Sequence, residues 1–289
     1  MTLPTIDQDY LLEFLSGLLN TPSPTGFAGA GIAFTEAALA KFPGLQLSRT
    51  RKGALVAAWP GEKEDAPRAL TAHVDTLGAM VKEIKGSGRL KLTQIGGYAW
   101  NTVEGEGCWV FTTDGKRVRG SILFTKASTH VHGRALSELK REDDSMEVRL
   151  DERTSSAAET CALGINVGDF VAFDPRVEIT NGFVRSRHLD DKACVACILA
   201  AVQAIHQAGL KPRQKTIMNI SNYEEVGHGA SAGIPAEVTE LVAVDMAAVG
   251  DGQNSDEFHT SLCVKDSGGP YHHGLSTKLR TLAAEHHIP

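Results

Sequence analysis

The sequence predicts an α/β fold in which a mixed sheet flanked by helices is interrupted by a small inserted β-barrel. Three features predict it. Helical apolar spacing marks the stretches 7–19 and 191–207, on either side of a long middle region. Short apolar runs at 54–59, 68–74, 216–221 and 240–245 accompany those helices and read as strands. Between about 80 and 181 the texture changes to short segments rich in Val, Ile, Phe and Thr, punctuated by GSG, EGEG, TDG, VRG, NVGD and ITNG, which is the spacing of a small antiparallel barrel or sandwich. The 289 residues divide accordingly into an α/β domain, 1–79 with 182–289, and an insert, 80–181.

In chain order, DQDYLLEFLSGLL (7–19) sets apolar residues along one helical face, and TPSPTG (21–26) is a turn by its Pro and Gly content. A second helix is expected from 29 to about 42. ALVAAW (54–59) and RALTAHV (68–74) flank the polar break PGEKEDAP and are expected as adjacent strands, the second largely buried. The insert carries one weak helical patch near 134–142. DKACVACILAAVQAIHQ (191–207) is a strong helix, stopped by Gly209 with Pro212 beyond. TIMNIS (216–221) and ELVAVD (240–245) read as buried strands, and 275–286 as a last helix.

Composition narrows the function classes. With 42% apolar and 22% charged residues the chain is ordinary globular protein, neither disordered nor collagen-like. Lys plus Arg is 29 against 35 Asp plus Glu, so no broad basic field exists to hold nucleic acid or an anionic membrane. The most apolar stretch, 193–205, contains Gln203 and falls short of the roughly 20 residues that span a bilayer. The opening MTLPTIDQDY has acids and no basic segment, which does not read as a secretory signal. Five scattered cysteines suit reduced thiols better than a disulfide framework, so a cytoplasmic location is expected. G-x-x-x-x-G-K-[ST] is absent, leaving nucleotide hydrolysis without a foothold, and although Gly229-Ala230-Ser231-Ala232-Gly233 has the spacing of G-x-S-x-G, a serine hydrolase is not expected.

Acids and one imidazole stand at the expected carboxyl ends of strands or at a helix start: His73 with Asp75, Asp190 with Asp191, Glu224 with Glu225, and Asp245. Ligands of open α/β sheets collect outside those strand ends, so pieces distant in sequence can converge there. In His73-Val74-Asp75 alternate side chains share a face, and Asp75 could hold the imidazole tautomer while the other ring nitrogen binds a metal. Each piece also has a plain reading. Asp190 and Asp191 could be helix caps, Asp245 a turn cap, and Glu224-Glu225 an exposed loop pair. Together they amount to the O/N ligand types of a two-metal hydrolytic site. Cys194-x-x-Cys197 reads as tight helix packing, and His130, His132, His272 and His273 as surface loop.

AHVDTLGAMV (72–81), RHLDDKACVACILAA (187–201), NYEEVGHGAS (222–231) and AVDMA (243–247), in this order and with a barrel between the first two, resemble the M42 family of dinuclear metallo-aminopeptidases over nearly the whole chain. GDGQNSDEF (250–258) and DSGGPY (266–271) look similar to the M42 peptidases of the N-acetylglutaminylglutamine amide osmoprotectant system. The resemblance implies a metallopeptidase-like fold and two divalent metal ions, zinc first, with cobalt or manganese as alternatives. It implies that His73 and Asp245 bind one metal, that Asp190 bridges the two, and that Glu225 binds the second. It makes Glu224 the general base and Asp75 the partner that orients His73. It further implies cleavage of N-terminal residues from short peptides or a small amide, and homo-oligomers built through the inserted dimerisation or lid domain. A further His ligand is expected beyond a last strand, and the sequence stops at His286-His287-Ile288-Pro289 before reaching it. Two alternatives follow: a related deacylase or carboxypeptidase, and a non-catalytic relative that has lost the second metal.

Overall fold

The computed structural model describes residues 3–289. In chain order its elements are α1 (Gln8–Leu19), α2 (Gly29–Leu39), β1 (Gln46–Arg49), β2 (Leu55–Trp59), β3 (Lys63–His73), β4 (Gly78–Ile84), β5 (Leu90–Ile95), β6 (Gly107–Phe111), β7 (Arg117–Phe124), α3 (Thr129–His132), α4 (Ala135–Glu138), β8 (Met146–Leu150), α5 (Ala157–Ala162), β9 (Phe170–Phe173), β10 (Glu178–Thr180), β11 (Phe183–Arg185), α6 (Leu189–Gln207), β12 (Gln214–Ser221), β13 (Glu240–Ala243) and α7 (His273–Glu285). The helix α1 starts where the Asp7 carboxylate accepts the Tyr10 N–H at 3.0 Å, and it buries Phe14, Leu15, Leu18 and Leu19.

Two hydrophobic cores organise the chain. The first joins α1, α2 and α6 to a mixed sheet of order β1-β2-β12-β3-β13, in which β3 runs parallel to both β12 and β13. The second fills a closed barrel of order β4-β5-β8-β7-β6-β9, whose neighbours are all antiparallel and whose interior holds Leu90, Leu92, Ile122, Phe124, Met146 and Val148. A barrel of this kind has no open edge, so β-rich sequence with few helices can close without a covering layer. No helix among the described residues is long and apolar enough to cross a membrane.

Two strand expectations are corrected. The runs at 54–59 and 68–74 are consecutive in the chain but are not paired: β12 lies between β2 and β3, antiparallel to one and parallel to the other. The β13 strand was expected to be buried, yet it is the sheet edge and Leu241 is 45% exposed. An apolar run reports a strand and leaves its place in the sheet open. The weak helical patch near 134–142 holds one short helix, α4, and a second short helix that was not expected, α3, precedes it.

Candidate metal centre

The parallel strands β12, β3 and β13 deliver their carboxyl ends to one edge of the sheet. His73 is the last residue of β3, Glu224 and Glu225 follow β12 in a 3-10 turn, and Asp245 follows β13. Register explains the convergence, since Ser221 pairs with His73 and Ala243 with Thr71. Asp190 and Asp191 arrive from the start of α6, where both have non-helical backbone angles and are joined by a cis peptide bond.

His73 is buried, and its two ring nitrogens have different neighbours. Nε2 lies 3.1 Å from Asp190 Oδ1 and 3.4 Å from Glu224 Oε2. One ligand atom each from His73, Asp190 and Asp245 falls within 4.8 Å of the others, a group able to hold a metal ion. Nδ1 meets the main-chain carbonyl of Asp75 at 2.9 Å, whereas the Asp75 carboxylate is 3.5 Å away. The shorter contact, with a carbonyl that can only accept, places the proton on Nδ1 and leaves Nε2 free to bind.

The Asp75 carboxylate has its own set of donors. It is fully buried and accepts from Thr25 Oγ1 at 2.7 Å and from the amides of Glu224 and Glu225 at 3.3 and 3.4 Å. Burial favours the neutral acid, but the hydrogen bonds from His73 and Thr25 outweigh it and hold this carboxyl below its ordinary range. Thr25 reaches the site because the 23–25 segment bonds along the strand extension, with Ser23 Oγ donating to the Val74 carbonyl at 2.7 Å and Thr25 N–H to Thr76 O at 3.1 Å. Nothing in the Pro-rich turn signalled that role.

Asp191 is not a helix cap. Its carboxylate is fully buried, accepts the His73 main-chain N–H at 2.9 Å, and leaves Oδ1 without a partner. Burial raises it to about 7. Glu225 accepts the Leu77 N–H at 3.2 Å and stands outside the three-residue group; burial, then the charge of Asp190, push it up to about 7. Glu224 and Asp245 are raised as well, burial being the largest cause for each. Burial draws His73 downward, but hydrogen bonds to Asp190 and Asp75 override it and raise the imidazole to about 11. A proton or a cation can satisfy the same Nε2 and the same ring of carboxylates.

A cavity of about 280 Å³ opens beside these groups, lined by His73, Glu224, Asp245, Thr71 and the Gly227–Ser231 loop. A larger one, about 660 Å³, lies between α1 and the barrel wall at Trp109 and Arg117, away from the convergent carboxylates. The smaller cavity is the one with reactive groups on its wall, which decides between them.

Comparisons with known proteins follow the same outline. A sequence model of the family described as M42 glutamyl aminopeptidase matches residues 53–289. YhfE of Bacillus subtilis (strain 168), a protein that carries an aminopeptidase name, is 48% identical over 278 residues, covering 96% of this chain and 80% of its own length. A TET aminopeptidase structure from the marine sediment archaeon Thaumarchaeota archaeon SCGC AB-539-E09 superposes with a TM-score of 0.86 at 19% identity, covering 98% of this chain and 80% of that one. The Pyrococcus horikoshii TET1 peptidase, described as assembling into a tetrahedron or a large octahedral shell, superposes at 0.77 with 22% identity, covering 96% of this chain and 82% of its own.

Proposed function

The chain belongs to the M42 glutamyl aminopeptidase family, and from that premise we propose that it removes N-terminal residues from short peptides, with Glu224 as general base beside a divalent-metal site. The observation that carries this reading is the convergence of His73, Asp190 and Asp245 within 4.8 Å, beside Glu224 on the wall of one cavity. The donor set fits such an ion: one imidazole nitrogen whose partner nitrogen is held by a carbonyl, and carboxylate oxygens. Charge fits too. Asp75, Asp190, Asp191, Glu224, Glu225 and Asp245 surround a single imidazole, an excess of negative charge that a divalent cation would relieve.

His73 and Asp245 would hold one ion, Asp190 would be shared, and Glu225 would serve a second; zinc suits these donors, with cobalt or manganese as alternatives. When bound, the ions supply Lewis acidity that polarises the scissile carbonyl and acidifies water. Everything else falls to the chain. Glu224 is half-exposed to the cavity, takes the proton of the attacking water and returns it to the leaving amine. Asp75 grips the amides of Glu224 and Glu225 and so sets where both carboxylates point. The Gly227–Ser231 loop forms a wall against which a substrate side chain can rest. The barrel would serve as the surface of a homo-oligomer or as a lid, and the cytoplasm as location, in keeping with five unpaired cysteines.

The test is a substrate panel with metal analysis. Chelator-sensitive release of amino acids from aminoacyl-anilides and short peptides, with bound zinc, supports the proposal; the small osmoprotectant amide belongs in the same panel. Activity on N-acyl amino acids alone, or turnover that persists in metal-stripped protein, overturns it.

A further inference from the structure

Asn222 and the pair His228-Gly229 bracket Glu224 and Glu225, and both ends of that segment are tied to one distant turn, 50–54 between β1 and β2. At the first end Asn222 Nδ2 donates to the Lys52 carbonyl at 3.0 Å. At the second, Lys52 Nζ donates to the His228 carbonyl and, at 3.0 Å, to the Gly229 carbonyl. The ammonium also lies 5.6 Å from the centroid of the Tyr223 ring, which stacks on the His228 imidazole at 5.3 Å and 19°. The turn that presents Lys52 is braced by Gly53 N–H to Thr50 O at 2.9 Å and by Ala54 N–H to Thr50 Oγ1 at 3.1 Å. Gly53 has φ +92, and a Cβ there would come within 3.1 Å of Asn222 Nδ2.

The second end bears directly on the carboxylate. Gly229 is buried beneath Glu224, and a Cβ at 229 would lie 2.9 Å from Glu224 Cβ and 3.0 Å from its Cα. The Gly229 backbone thus lies too close to Glu224 to leave room for a side chain between them, so a shift of the 228–229 segment bears on the position of Glu224. Left-handed residues flank the turn, Tyr223 at φ 64 and Gly227 at φ 88. For Tyr223 that is a sparsely populated conformation, which the surroundings must hold in place.

We propose that Lys52 is a positioning residue for the hydrolysis proposed above: its ammonium, spanning from the β1–β2 turn to the His228 and Gly229 carbonyls, fixes the loop that aims Glu224 at the cavity. This rests on the reading of Glu224 as the base. Lys52 touches no reacting atom. Its whole effect passes through main-chain carbonyls, so a side chain that can donate twice and lie over Tyr223 should substitute for it, and an apolar one should not.

The test compares Lys52→Met and Lys52→Arg with the unaltered protein by steady-state kinetics on an aminoacyl-anilide, bound metal, thermal melting, and hydrogen exchange of the 223–231 peptide. Displacing a positioned group by about 1 Å costs roughly 10²-fold, so Lys52→Met should lower kcat by about tenfold to a hundredfold with KM within about twofold. Metal content should hold, exchange should quicken at 223–231 alone, and Lys52→Arg should recover most of kcat. A Lys52→Met kcat within about twofold of the unaltered enzyme overturns the proposal, as does a loss matched by lost metal or by faster exchange throughout the chain. If the unaltered protein hydrolyses nothing, the proposed function is refuted on its own. Exchange then decides the anchoring: faster at 223–231 in Lys52→Met supports it, and unchanged exchange overturns it.

Discussion

Replacing Asp75 by Asn tests how the imidazole is held. The carboxylate is fully buried and has two sides: Oδ2 receives Thr25 Oγ1 and Glu225 N–H, while Oδ1 receives Glu224 N–H and lies 3.5 Å from His73 Nδ1. An amide can keep its oxygen on one side only. The cheaper choice turns the NH₂ toward Thr25, whose hydroxyl can rotate to accept, and leaves only the long 3.4 Å bond from Glu225 N–H unmade. One weak buried donor lost costs about 1 kcal/mol, and converting the remaining charge-assisted bonds to neutral ones adds a similar amount, giving roughly 2 kcal/mol. For a chain of this length that predicts a melting temperature lower by about 3 °C. His73 should not rotate, because its 2.9 Å partner is the Asp75 main-chain carbonyl, which the substitution leaves in place. Metal affinity should therefore fall by only about tenfold, the low end for residues that support a ligand. Calorimetric titration with a competing chelator, beside a thermal melt, measures both. A loss of metal affinity beyond about a thousandfold, or a His73 ring turned in the variant's crystal structure, would show that the carboxylate and not the carbonyl sets the ring, and the reasoning would be wrong.

Three further outcomes are expected. Glu224→Gln should keep its bound metal and lose about a hundredfold or more of turnover, and metal loss with an unchanged residual rate would remove Glu224 from its role. Gly61→Ala should destabilise by about 3 kcal/mol in denaturant titration, because the added Cβ would sit 2.3 Å from the Gln214 carbonyl carbon and 2.4 Å from Lys215 N. Gly86→Ala, with open space around it, is the control expected to change little, and equal stability of the two variants would refute the packing argument. In the native protein at pH 8, iodoacetamide should label the exposed Cys161 and Cys263 but not Cys108, whose thiol is shut inside the barrel and pushed up by burial to about 12. Mass spectrometry reads the sites, and rapid native labelling of Cys108 would contradict the closed barrel.

Much of the architecture was legible because apolar periodicity reports local shape. The α1 and α6 helices and the strands β2, β12 and β13 lie where the spacing placed them, within a few residues. What periodicity could not report was neighbourhood. The insertion of β12 between β2 and β3 joins segments distant in the chain, and the exposure of Leu241 follows from β13 being outermost. At the site, the HVD spacing pointed correctly to an imidazole and a carboxylate side by side. The main-chain carbonyl that Nδ1 prefers carries no side-chain signature, so no motif could reveal it. Acids are common at helix starts, so sequence alone leaves a cap open for Asp191, whereas its carboxylate turns inward to the His73 amide.

By itself the sequence determined which chemical types were available and in what order: a histidine, paired acids, a glycine-rich exit after a strand, and a β-rich stretch able to close on itself. Only the tertiary structure decided which of them meet. Parallel register brought His73, Glu224 and Asp245 to one edge of the sheet, and Lys52 reached the 228–229 carbonyls from a turn far away in the chain. The reason is physical. Side-chain chemistry and local periodicity are properties of short segments, while distances between segments are set by the packing of the whole core, and a metal site or a positioned carboxylate depends on those distances to within a fraction of an ångström.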